Sequence, residues 1–317
     1  MVFCSKCGSE NNDSNDKCEK CDEFLIKNEY LTVKQYENFE DIFNSENLKA
    51  LNNLTINGYN VVIKNIADMG HSHLLEYYEK NTMKNLTILD KIKALTRAYC
   101  EINYKSSGAE LGSYSFNNIN VDDRLDSANQ IATLIHELSH HLFSEIFEQI
   151  LMYLWGCEKS DAIEALAWFT LIGNPLMQLV NEYCAHTCEG RFIPHGYQNY
   201  ASFNSILVNE FDSEKDRDAI GLGLIFGNTI AQDIIVILEE FIDFDLREEI
   251  KQQFKQDFRY SPNYDQILLE SKEHFTDEDK IENIKFILKS GYKAAKNKKM
   301  KDILDEFKEK FTETSKD

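Results

Sequence analysis

The chain has 317 residues, with 54 Asp and Glu against 34 Lys and Arg, giving a formal net charge of −20. That acidity argues against non-specific binding to nucleic-acid backbones, which demand clustered Lys and Arg. The length allows a sizeable core, as one large domain or one domain with small appendages, and three prolines amid frequent Leu, Ile, Lys and Glu predict mostly helix.

The opening, MVFCSKCG, has no basic stretch followed by an apolar one, so no secretory signal is expected. Eight cysteines without such a signal point to a reducing, cytoplasmic setting and to metal chemistry rather than disulfides. Cys4, Cys7, Cys18 and Cys21 form C-x2-C…C-x2-C, a spacing in which each pair on a tight turn aims two thiolates at one zinc. Gly8 suits the first turn, and the polar SENNDSNDK between the pairs cannot build a core, so a metal must supply most of the folding energy there. Residues 1–26 resemble small N-terminal zinc ribbons: FCSKCG and KCEKCDEFL fit the pattern, with Asp22 where glycine is usual. The resemblance implies one structural zinc and a module that binds a partner or caps a domain.

From Asn28 to Ser107 the pattern is mainly helical. Leu31–Phe43 is amphipathic, and Thr87–Ile102 carries the stripe Ile88, Leu89, Ile92, Leu95, Ala98 and Tyr99. Val61–Lys80 is ambiguous: VVI can open as a strand, whereas HSHLLEYYEK is helical. His71 and His73 fall on different helix faces and are expected as solvent or loop residues rather than ligands. Ser106-Ser107-Gly108 breaks the helical pattern, and Leu111–Val121 then alternates as two short strands around Asn117-Asn118. A strand in that place can serve as an ordinary scaffold hairpin or as an edge that receives an extended peptide.

The following stretch, IATLIHELSHHL, carries His136, Glu137 and His140 as H-E-x-x-H. On a helix the two imidazoles converge on one point and supply half of a tetrahedral zinc site, while Glu137 can reach a water on that metal as general base. Ile131, Leu134, Ile135, Leu138 and Leu142 would hold the helix against a core, with Asp126 or Ser127 as N-cap. His141 points off the zinc face. The apolar run continues through Phe143–Trp155 to a cap at Gly156, and helices are expected over Ser160–Ile172 and Pro175–Glu189. Ala162–Val180 is the segment most suggestive of a membrane span, but Glu164 and the Asn174-Pro175 break favour two buried helices, so no span is expected.

Two histidines need a third protein ligand, and Glu182, on a helix able to pack antiparallel to the first, is the chosen one. HELSH followed by a helix-borne glutamate resembles the gluzincin class of zinc metallopeptidases, and the order strand, HExxH helix, Glu helix is similar to its compact ImmA/IrrE-type members. The resemblance covers about 109–200. It implies a zincin-like fold and a catalytic zinc on His136, His140 and Glu182, with a water at the fourth position and Glu137 moving its proton to the leaving amine. Many gluzincins place an aspartate four residues after the glutamate to orient a ligand histidine; here position 186 is histidine. Glu145, Glu164, His186 and His195 remain rival ligands, and His195 and Tyr197 in RFIPHGY are candidate oxyanion donors. Cys184 and Cys188 are expected as buried thiols turned away from Glu182.

Beyond this, Ser213–Ile242 contains a long apolar helix whose Gly221, Gly223 and Gly227 suggest close helix packing rather than a phosphate loop. Asp277–Phe311 is charged and helical, with a basic cluster over 296–299. The fold expected is mainly α (α+β): a zinc ribbon over 1–26, then a zincin-like domain over 27–317, with its core about 85–200, a small hairpin or sheet and a helical C-terminal extension. The function expected is a zinc-dependent peptidase acting on an intracellular protein or peptide, with one catalytic and one structural zinc. The alternative is an inactive zincin-fold scaffold that engages a protein partner through the ribbon.

Overall fold

The computed structural model describes residues 2–3, 9–12, 15, 17–22, 45–80, 86–105, 111–115, 117–256, 276–295, 298–299 and 302. Cys4 and Cys7, the amphipathic stretch over 31–43, and the segment after 302 lie outside the described residues.

In chain order the elements are β1 (Val2–Phe3), β2 (Glu10–Asn11), α1 (Ser45–Asn52), α2 (Ile56–Lys80), α3 (Ile88–Arg97), β3 (Glu101–Lys105), β4 (Gly112–Ser115) and β5 (Asn118–Asp122). Then follow α4 (Ser127–Trp155), α5 (Asp161–Ile172), α6 (Pro175–Phe192), α7 (Ala201–Glu210), α8 (Arg217–Glu239), α9 (Phe244–Gln256) and α10 (Asp277–Ala295). The chain is thus mostly helical with a small three-stranded sheet, as composition predicts. It divides into two compact units, one of residues 1–65, 144–177 and 274–317, the other of 66–143 and 178–273.

In the first unit β1 and β2 pair antiparallel, Val2 opposite Asn11. α5 starts at an N-cap, Ser160, whose hydroxyl accepts from the Ile163 amide at 3.4 Å. It ends at Gly173, and Asn174 Oδ1 accepts from Met177 N at 3.0 Å to start α6, so the break expected at Asn174-Pro175 falls there. α10 packs on α5 where Gly291 meets Thr170: a Cβ at Gly291 would stand 2.5 Å from Thr170 Oγ1.

In the second unit the sheet has the order β3-β5-β4, with β3 parallel and β4 antiparallel to β5. Asn117, at φ 62°, makes the turn between β4 and β5, a backbone that Asn tolerates better than most residues. The helix expected over Thr87–Ile102 is shorter than its stripe. α3 begins at a Thr87–Asp90 capping box and stops at Arg97, and from Glu101 the backbone is taken by β5, with Ile102 opposite Ile119. A strand-forming alternation in Glu101–Lys105 wins because its partner lies elsewhere in the chain.

The strand considered at Val61 is helix throughout α2, where Tyr59, Val62 and Ile66 recur at helical spacing and are buried. His71 and His73 therefore sit on a helix rather than a loop. His71 pairs with Glu240 at 3.7 Å, and His73 Nδ1 lies 2.6 Å from the Ala98 carbonyl oxygen. On α8, Gly227 lets the helix approach α6: a Cβ there would lie 2.8 Å from Val180 O and 2.9 Å from the Tyr183 ring. Close packing does not explain Gly221, which has nothing within 4 Å of a built Cβ. Of the single described helices α8 alone is long and apolar enough to cross a membrane, and 56% of that apolar stretch is buried inside the protein.

Candidate metal centre

The site is built on α4. Asp126 caps it, its Oδ1 accepting from Asn129 N at 2.9 Å, and Ile131, Leu134, Ile135, Leu138 and Leu142 are all buried. That stripe fixes the rotation of the helix, which turns His136 and His140, one turn apart, toward α6. α4 then runs on unbroken to Trp155, and Gly156 leaves it at φ 58°.

Three donor groups converge. His136 Nε2 and His140 Nε2 stand 3.2 Å apart. Glu182 on α6 places Oε2 3.7 Å from His136 Nε2 and Oε1 3.6 Å from His140 Nε2. Two nitrogens each about 2.05 Å from one tetrahedral zinc would lie about 3.3 Å apart, so the imidazole pair has the spacing of metal ligands. His136, Glu182 and His186 also offer donor atoms all within 4.8 Å of one another, a group able to hold a metal ion. His140 fits at least as well by distance, because it is closer to both His136 and Glu182 than His186 is to Glu182, at 3.9 Å.

The outward nitrogens are held. His136 Nδ1 lies 3.2 Å from Glu189 Oε2, and His140 Nδ1 lies 2.9 Å from Asn181 Oδ1. Each partner is an acceptor, so each Nδ1 carries a proton, and in the neutral imidazole each Nε2 is left with a lone pair facing the other and Glu182. Three electron-rich groups facing one point in a buried place favour a cation there. The electrostatics agree. Burial opposes charge on His136, yet the Glu182 and Glu189 carboxylates raise its pKa well above the ordinary value. Burial pulls His140 down to about 4 against the attraction of Glu182. Burial would raise Glu182, but His140 and His136 more than reverse it and hold its pKa below the usual range. One proton is thus concentrated where a divalent ion would bring more charge.

Sequence reasoning missed Asn181, Glu189 and Ser202. The orienting carboxylate sought at position 186 sits almost a turn further along α6, at Glu189, whose Oε2 is also 3.2 Å from His186 Nδ1. Asn181 adjoins Glu182, and a polar residue beside an expected ligand was the available signal. Ser202 on α7 donates to Glu182 Oε2 at 2.6 Å. Nothing in ASFNSILVNE marks it, since Phe203 is the sole fully buried residue of that helix.

Glu137 is buried beside β4: a Cβ at Gly112 would lie 3.1 Å from Glu137 Oε1 and 2.3 Å from Thr133 Cγ2. A side chain at 112 would press on Glu137 and Thr133. His141 does face away, with Nδ1 3.3 Å from Tyr114 Oη on β4 and its ring 6.3 Å from that of Tyr99. Cys184 and Cys188 are buried thiols, and burial, with the neighbouring Cys188 sulfur, pushes the Cys184 pKa well up.

Of the rival ligands, Glu145 and Glu164 are engaged by Lys159 Nζ at 3.2 and 3.6 Å. His195 is exposed in the turn after α6, and the Tyr197 ring packs edge-on against Phe254, centroids 5.6 Å apart. In the segment expected as a zinc ribbon, Asp22 takes φ 57°, a left-handed backbone conformation that favours glycine. The Lys20 amide donates to Cys18 Sγ at 3.4 Å, and Cys21 is partly exposed.

Compared with family models, curated proteins and solved structures, the chain matches none.

Proposed function

We propose that this protein is a zinc-dependent peptidase of gluzincin type whose metal is held by His136, His140 and Glu182. The observation that carries the reading is the pair of Nε2 atoms 3.2 Å apart, each with its Nδ1 already engaged by an acceptor. Imidazole and carboxylate donors suit zinc, and three protein ligands leave a position for chemistry. Bound there, zinc would supply a Lewis acid for a scissile carbonyl and for acidifying a water.

The remaining work falls to residues of this chain. Glu137, next to a ligand on the same helix and partly enclosed by β4, takes a proton from the attacking water and delivers it to the leaving amine. Glu189 and Asn181 keep the imidazoles in the tautomer and orientation that bind metal. β4 is at the edge among the described strands and adjoins Glu137, which favours an extended peptide laid along it as an added strand. His195 and Tyr197 stay candidate oxyanion donors, and Cys18 and Cys21 would share a structural zinc with Cys4 and Cys7. Cysteine use of this kind suits a reducing, cytoplasmic compartment and an intracellular protein or peptide substrate.

The test is an unbiased peptide-library digest by the full chain and by Glu137→Gln. The reading expects zinc-dependent cleavage that falls at least about a hundredfold in the variant while zinc is retained. Cleavage at the same rate in both would remove Glu137 as the base.

A further inference from the structure

His186 is the one imidazole at the site that the reading above, on which this inference rests, leaves without work. Its side chain is 2% exposed, and its ring centroid is 4.4 Å from that of His136. Nδ1 faces Glu189 Oε2 at 3.2 Å, which places the proton there. Nε2 then carries a lone pair and faces Ser202 Oγ at 3.3 Å and Glu182 Oε2 at 3.9 Å. The single Ser202 proton lies in the 2.6 Å contact to Glu182, so Ser202 has none to give Nε2 in this arrangement. A buried lone pair thus turns toward Glu182 Oε2, which His136 Nε2 also faces at 3.7 Å, with no donor of its own among the described residues. The Tyr200 ring, 4.9 Å away and edge-on, closes another side of the imidazole.

We propose that His186 is a fourth, exchangeable protein donor to the metal: its Nε2 fills the open position at rest and yields that position to an incoming ligand. Glu189 is the pivot, holding Nδ1 while Nε2 changes partner. When His186 withdraws, the Ser202 hydroxyl turns its proton from Glu182 to Nε2, so the exchange needs no added proton. Four protein donors make a closed metal site and three an open one. His186 gives this chain access to both, and the resting protein is latent until a ligand competes for the metal.

The test replaces zinc by cobalt(II) in the full chain and reads the visible d–d bands with and without acetohydroxamate, a chelator that needs an open position. The signal of this site is the part lost in His136→Ala, which separates it from cobalt at the cysteines. The expected result is an intense four-coordinate band in the wild type. In His186→Ala the band weakens and acetohydroxamate binds about tenfold tighter, as when a competing closed state is removed. In Ser202→Ala, which deprives withdrawn His186 of its partner, acetohydroxamate binds more weakly than to the wild type. That variant keeps the proposal testable if His186→Ala does not fold. A His136-dependent band whose shape and acetohydroxamate affinity are the same in all three proteins overturns the fourth donor but leaves the metal site standing. No His136-dependent band at all removes both.

Discussion

Two polar clusters in this chain solve the same electrostatic problem in opposite ways. In the first unit, Glu145, Glu148 and Glu164 surround Lys159, whose Nζ stands 3.2, 2.8 and 3.6 Å from their oxygens. Gln149 and Ser144 add hydrogen bonds to Glu145 and Glu148 at 2.7 and 3.3 Å. That cluster carries its own cation. In the second unit, His136, His140 and Glu182 converge with the outward imidazole nitrogens already engaged, and among the described residues no Lys or Arg pairs with them. A carboxylate cluster that encloses an ammonium is finished as a piece of structure, whereas one that encloses lone pairs is finished by an ion from outside. This difference, more than the number of acidic residues, separates a metal site from a packing device.

The comparison can be broken at either end. The largest effect is expected from His136→Ala, which should remove one bound metal per chain, measured by elemental analysis after dialysis. Glu189→Gln keeps the size of the side chain but weakens its hold on His136 Nδ1, and should cost about 10–100-fold in metal affinity by competition with a chromophoric chelator. Lys159→Met leaves three carboxylates without their ammonium. Because Lys159 is 37% exposed, the cost should be about 2 kcal/mol in urea unfolding rather than the larger loss of a fully buried pair. It should leave metal affinity unchanged.

The smallest effect is a pH dependence. Burial, and then the neighbouring Glu145, push Glu148 up from 4.5 to about 7 despite the pull of Lys159. A carboxyl whose pKa is raised by folding binds its proton more tightly in the folded state. Its contribution is therefore present below about 4.5 and lost as pH rises through about 7. Wild type should lose stability relative to Glu148→Gln across that window, measured as the difference between their urea midpoints at each pH. A constant difference would show that Lys159 fully neutralises the cluster.

How much of this was legible in the sequence follows from how local each signal is. The HELSH helix, its cap at Asp126 or Ser127, the break at Asn174-Pro175 and the start of α5 at Ser160 rest on spacing within a turn or two, and all were readable. Glu182 could be chosen because a ligand on a neighbouring helix has few candidates. Glu189 could not, because whether a polar residue seven positions along α6 faces α4 depends on the packing angle of two helices. The end of α3 was misread for a related reason. Tyr99 and Ile102 continue a helical stripe by spacing, and only the parallel pairing of Ile102 with Ile119 shows that a strand has begun. α7, which brings Ser202 to Glu182, has little apolar periodicity to announce it.

The most direct test is the zinc content of the full chain beside Glu182→Ala, each purified in reducing buffer and dialysed against metal-free solution. The account predicts that the variant holds one zinc fewer per chain than the wild type, with its folding otherwise intact by circular dichroism. Equal zinc in the two proteins would contradict a metal held by His136, His140 and Glu182.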